Sequence, residues 1–185
     1  MTSGAESVPA IEAEWISVDG SSHEVLRLRF ESGGWTADGI VTGPEIQYAI
    51  RLDEHWQIRQ FLLFRDLEDP DLWLGTDGGG RWGEVNGAHR PDLDGCSGLH
   101  LACTPFTNAM AINRLAPLLV GDTAEVKVAV IDPETLAISP TVHRYTRLSE
   151  SRWQFDWPES GDRAELEVDE RGLVLDHPGR FQRVN

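Results

Sequence analysis

The stretch that most constrains this chain runs from Phe106 to Val120, FTNAMAINRLAPLLV. It carries one charge, Arg114, in a chain where a quarter of the residues are charged. Thr104 followed by Pro105 reads as a helix start, because a threonine hydroxyl accepts from the first free amides and proline suits the first turn. Pro117 and Gly121 read as terminators. Ala109, Ile112, Leu115 and Ala116 form one stripe, with Phe106, Met110 and Asn113 beside it. A helix apolar around most of its girth must be buried on most sides, so the remainder of the chain has to supply something that wraps it.

That remainder reads as strands. Leu26, Leu28 and Phe30 alternate with Arg27, Arg29 and Glu31, and Ile46, Tyr48, Ile50 and Leu52 alternate with Gln47, Ala49 and Arg51. Trp153, Phe155 and Trp157 flank Gln154 and Asp156, and Ala164, Leu166 and Val168 flank Glu165 and Glu167. This is the period of strands with one buried face. Glu125 to Ile131 is apolar on both faces after Lys127, which predicts a central strand. Turn signals such as Gly33-Gly34, Gly43-Pro44, Asp132-Pro133 and Arg171-Gly172 separate these runs by about ten to fifteen residues, which leaves no room for helical crossovers. The expectation is a mainly β fold: one domain over residues 1–185, with a many-stranded antiparallel sheet wrapped around a single central α-helix at about 105–116. A helix plugging one end of a barrel is the alternative geometry.

The net charge of −15 is spread along the chain with no basic block. Such a surface repels phosphate backbones and anionic headgroups, so nucleic acid is not an expected partner. No run of 18 apolar residues offers a membrane-spanning helix. The opening MTSGAESVPAIEAEW lacks the charge and apolar core of an export signal, so a cytoplasmic protein with two reduced cysteines is expected.

Motif chemistry is sparse. Gly78, Gly80 and Gly83 fit G-x-G-x-x-G after a short strand, but Glu84 to Pro91 cannot form the helix whose amides would hold a pyrophosphate; a glycine-rich hairpin turn is expected instead. Cys96, His100 and Cys103 are zinc-ligand types within eight residues, yet on a strand Cys103 points away from the other two and no second ligand pair stands nearby. Buried thiols are expected, with no metal and no cofactor. The acids around Asp66 to Asp94 lack the EF-hand spacing. The G-x-S-x-G, H-E-x-x-H and S-x-x-K signatures are absent. What stands out is a set: Gly80-Arg81-Trp82, Leu93-Asp94-Gly95-Cys96, and Thr104 to Asn108 with Arg114-Leu115. Arg81 and Arg114 could bind a polar or anionic headgroup, Trp82 could stack on a sugar, and Thr107 and Asn108 could donate. Equally, Thr107 and Asn108 could satisfy helix amides and Arg114 could pair with an acid.

GRW, DLDGC, TPFTN, the helix ending in RL, Gly121 before a valine-rich strand, Tyr145 and the tail VDERGLVLDHPGRFQRV together resemble the bacterial family described as putative glycolipid-binding proteins. The resemblance runs from about Arg65 to Val184, and TPFTN is its most specific element. It implies a spiral β-roll, a sheet coiled around one helix, usually dimeric, with glycolipid binding proposed and no catalytic residues established. The chain departs from the family pattern at Gly98 and His100, where acids are usual, at Ala111 and Asn113, and at His177, where tyrosine is usual.

These readings give a first expectation of a non-catalytic module binding a glycolipid, or a fatty acyl compound, between sheet and helix. Trp82, Phe106 and Met110 would line the apolar part, and Arg81 or Arg114 the polar end, with Thr107, Asn108 and Tyr145 as further candidate ligand-binding residues. Two rivals remain: an enzyme using Asp94, His100 or His143 in a cleft beside the glycine-rich segment, and a homodimeric structural protein with a packed core and no ligand.

Overall fold

The structure, a computed structural model, describes residues 9–66 and 69–185. The alternating runs become fourteen strands in one sheet. A first meander comprises β1 (Ile11–Ser17), β2 (His23–Glu31), β3 (Gly34–Thr42), β4 (Ile46–Asp53), β5 (Ile58–Phe64), β6 (Leu72–Thr76) and β7 (Trp82–Glu84). Next come β8 (Gly98–Leu101) and α1 (Phe106–Arg114). A second meander follows: β9 (Thr123–Ile131), β10 (Ile138–Arg147), β11 (Arg152–Trp157), β12 (Asp162–Val168), β13 (Val174–His177) and β14 (Phe181–Arg183). β14 pairs with β1, so the meanders join along the first and last strands, and β7 and β8 stand at opposite ends of the strand order.

Those two ends nevertheless meet. The Gly95 amide donates to the Gly80 carbonyl at 2.8 Å, and the Trp82 indole donates to the Cys96 carbonyl at 2.9 Å. The sheet therefore curls until its last strand lies inside its own coil, and every residue of β8 is buried. This explains the doubly apolar β9: it is paired on both sides, with Ala129 and Ile131 facing one core and Val126 and Val128 the other. β8 and β9 are parallel, against the expectation that no helical crossover would fit. The segment between them holds the one α-helix among the described residues, and a parallel return needs just such a crossover.

α1 separates two cores. Phe106, Ala109 and Met110 pack with strands of the first meander and with Leu99 and Leu101 of β8. Ala111 and Ile112 pack with Val126, Val128, Tyr145, Trp153, Phe155, Leu166, Val168 and Val174. The wrapped helix is thus as expected, with buried residues running from Phe106 to Ile112. It starts as read, since the Thr104 hydroxyl accepts the Phe106 amide at 3.0 Å. It ends at Arg114 rather than near 116, because Pro117 disfavours a helical Ala116. Leu119 and Val120 then emerge, 73% and 63% exposed. The Gly78 to Gly83 segment forms the β6–β7 turn, with Asp77 Oδ1 accepting the Gly79 and Arg81 amides.

Candidate functional site

The last turn of α1 brings Arg114 against the inner end of the β6–β7 turn. There a cavity of about 50 Å³ is lined by Gln57, Ile58, Thr76, Gly78, Gly80, Trp82, Cys96, Ser97 and Arg114. Gly78 suits this turn: its φ is +79°, which L side chains rarely adopt, and an added Cβ would have to displace the Arg59 guanidinium 2.1 Å away. Arg114 is half-buried, and its guanidinium donates to the Ser97 carbonyl. Its acidic neighbour Asp53 is already bound to Arg59 at 3.0 Å, so Arg114 has no carboxylate within ion-pair distance among the described residues. Burial pulls its pKa down and Asp53 offsets this in part. A partly desolvated guanidinium facing neutral polar side chains is built to receive oxygen acceptors. At about 50 Å³ the cavity has room for a small polar group and not for an acyl chain.

Trp82 forms one wall of this cavity and also of a wider groove of about 300 Å³, which it shares with Arg81, Gly75, Thr76, Asp77, Gly83, Glu84, Gly87 and His89. The structure thus brings Arg81, Trp82 and Arg114 to one region, with Arg81 exposed and Trp82 buried. The other candidate residues lie behind it. Phe106 and Met110 fill the first core. Asn108 is buried, and its Oδ1 accepts the Tyr145 hydroxyl at 2.9 Å; burial pushes the Tyr145 pKa well up. Thr107 is buried with its hydroxyl unpartnered. Of the residues proposed for a catalytic cleft, Asp94 binds His89 at 2.9 Å on the outside, while His100 and His143 meet in the interior with ring centroids 5.0 Å apart.

Glu24 was not read from the sequence, and His100 and His143 were read as cleft residues rather than as part of a buried histidine cluster. In the first core Glu24, 2% exposed, accepts the Tyr48 hydroxyl and, at 2.8 Å, the Thr104 hydroxyl. Burial raises its pKa to about 7, against those two hydrogen bonds. Tyr48 reaches Glu24 across β3 because Gly39 is bare: a Cβ there would stand 2.1 Å from the tyrosine ring. The signal available was parity, since Glu24 shares the phase of Leu26 and Leu28. In the second core His100, His143 and His177 are 5%, 1% and 4% exposed, each with one ring nitrogen unpartnered. Their neighbours are Trp157, Phe155 and Tyr145. Burial lowers their pKa values to about 4, 3 and 4 respectively, with Arg180 adding to the effect on His100 and His177. No cluster of three or more ligand side chains suited to a metal ion occurs among the described residues.

A family model described as "Putative glycolipid-binding" matches residues 12–183. The chain belongs to this family. The match begins well before Arg65, where the motif resemblance starts, so the first meander is part of the family fold. The crystal structure of a DUF1089 family protein from Pseudomonas aeruginosa is similar, with a TM-score of 0.72 and 30% sequence identity, covering 100% of this chain and 98% of that one. Among curated proteins none matches. Among the described residues no helix is long and apolar enough to cross a membrane.

Proposed function

We propose that this protein binds a glycolipid or similar amphiphile without altering it chemically, with the polar end at the Arg114 cavity between α1 and the sheet. The observation that carries this reading is the half-buried Arg114 guanidinium, which faces a polar cavity with no carboxylate partner. The neighbouring groove gives the rest of the ligand a place to lie. Its floor is bared by Gly75, Gly83 and Gly87, Trp82 supplies an apolar wall, and Arg81 stands at its edge. Glycine allows a ligand to approach the backbone closely, and each methylene buried there contributes about 0.8 kcal/mol. Phe106, Met110, Thr107, Asn108 and Tyr145 act from behind, fixing the helix that presents Arg114. Family membership supports a binding role of this kind.

Native mass spectrometry of gently purified protein tests the reading. The expected result is a co-purifying amphiphile in the native protein, depleted at least tenfold in Arg114→Met. Clean apo spectra together with no binding across a panel of alkyl glycosides and glycerolipids would overturn it.

A further inference from the structure

Four open grooves larger than the Arg114 cavity each have an aspartate or glutamate in the wall: Asp77 and Glu84 in the first, Glu31 and Asp53 in the second, Asp19 in the third, Asp132 and Glu134 in the fourth. In a chain with 31 acids against 16 basic residues, that is the expected outcome. The Arg114 cavity departs from it, since none of its nine lining residues is acidic.

What lines it instead is a set of donors. Arg114 Nη1 donates to the Ser97 carbonyl, and the guanidinium has no carboxylate within ion-pair distance among the described residues: Asp53 is bound to Arg59 at 3.0 Å, and Asp77 Oδ1 accepts the Gly79 and Arg81 amides. Thr76 Oγ1 accepts the Gly78 amide at 3.1 Å, which leaves its proton free to donate. Gln57 and Ser97 add a side-chain amide and a second hydroxyl. A half-buried cation without a counter-ion is unfavourable, and an arriving anion relieves it. Size narrows the choice. About 50 Å³ is too little for a sugar ring, whose hydroxyl rim would also need acceptors. It suits a carboxylate, whose two coplanar oxygens match the guanidinium fork. A phosphate monoester is bulkier and brings more negative charge, for which the cavity lining holds no second cation.

We infer that the polar end of the ligand is a carboxylate, seated on Arg114 with Thr76, Gln57 and Ser97 donating around it, so that the amphiphile this protein takes is an anionic one. The inference rests on the amphiphile-binding reading and narrows its ligand class. Trp82 walls both the cavity and the adjoining groove, so a chain attached to the carboxylate leaves along the indole. Arg81 at the groove's edge offsets part of the repulsion that a chain of net charge −15 exerts on an anion.

Probes with one chain length and different heads test this on the full native chain: dodecanoate, dodecyl phosphate, dodecyl maltoside and dodecyltrimethylammonium. Each is used below its micelle concentration and followed by titration calorimetry and tryptophan fluorescence. Dodecanoate should bind at least tenfold more tightly than each of the others. Arg114→Gln should weaken its binding at least tenfold, whereas Arg144→Gln, the same change of charge at an exposed arginine on β10, should leave it unchanged. The ranking of heads needs no variant, so it decides even if Arg114→Gln does not fold. A preference below tenfold over any other head overturns the inference, and the amphiphile reading survives if any of those heads binds. A loss below tenfold in a folded Arg114→Gln overturns it as well, by placing the anion elsewhere. If no dodecyl probe binds, both readings fall.

Discussion

The two cores on either side of α1 solve one problem, a buried ionisable group, in opposite ways. In the first, one Glu24 oxygen accepts the Tyr48 and Thr104 hydroxyls, the other is buried without a partner, and burial raises the pKa to about 7. In the second, three imidazoles sit among aromatic rings with a nitrogen each left unpartnered, and burial keeps them uncharged. The consequence is opposite linkage to pH. The Glu24 pKa is raised from 4.5 to about 7 on folding, so its contribution is full below 4.5 and is lost as pH rises through 7. The histidine pKa values are depressed from 6.5, so their contribution is full above 6.5 and is lost as pH falls toward 4 and 3. A coil that excludes water tolerates acid or base only in its neutral form.

The sharpest way to break the comparison is to open a cavity in the first core beside the helix common to both. Phe106→Ala should cost about 3–5 kcal/mol in urea unfolding, with both halves melting together; a loss confined to the first meander would show that the cores are independent. Gly39→Ala should cost about 1–3 kcal/mol by driving a methyl into the Tyr48 ring. That loss should fall on the first core, read as accelerated amide exchange in β2 to β4 ahead of β10 to β12. Next come the titrations. His143→Phe should flatten the stability decline between pH 6.5 and 3, while Glu24→Gln should flatten the decline between pH 4.5 and 7 and leave the acid limb untouched. If either substitution flattens both limbs, the cores are electrostatically coupled. The smallest effect belongs to a position in neither core: Leu119→Ser should change stability by less than about 0.5 kcal/mol, measured by thermal midpoint.

The wrapped helix was legible because its signal is local. A stretch from Phe106 to Ile112 without charge, preceded by Thr104-Pro105, has few physical alternatives. Strand existence was legible for the same reason, and the double-sided β9 was visible in the run from Glu125 to Ile131. The coil itself was not, because it depends on which strands become neighbours, and β1 beside β14 is written nowhere in either segment. The site shows the same division. Arg81, Trp82 and Arg114 were read as a set and do converge on one region. Glu24 was hidden by chemistry: its parity put it inside, but a carboxylate is expected outside unless its partners are known, and Tyr48 and Thr104 are distant in sequence.

The β1–β14 seam is short: Trp15 with Arg183, Ile16 with Gln182, and Ser17 with Phe181. Over it the Trp15 indole reaches to the Val174 carbonyl on β13 at 2.7 Å. Because the partners stand so far apart in sequence, loop-closure entropy is concentrated in this one step, and that step comes late. Until it happens, β1 stands at the margin of an otherwise formed meander with its amides and carbonyls unsatisfied. Misassembly of this molecule should therefore begin there, with one chain's β1 accepting a strand from another.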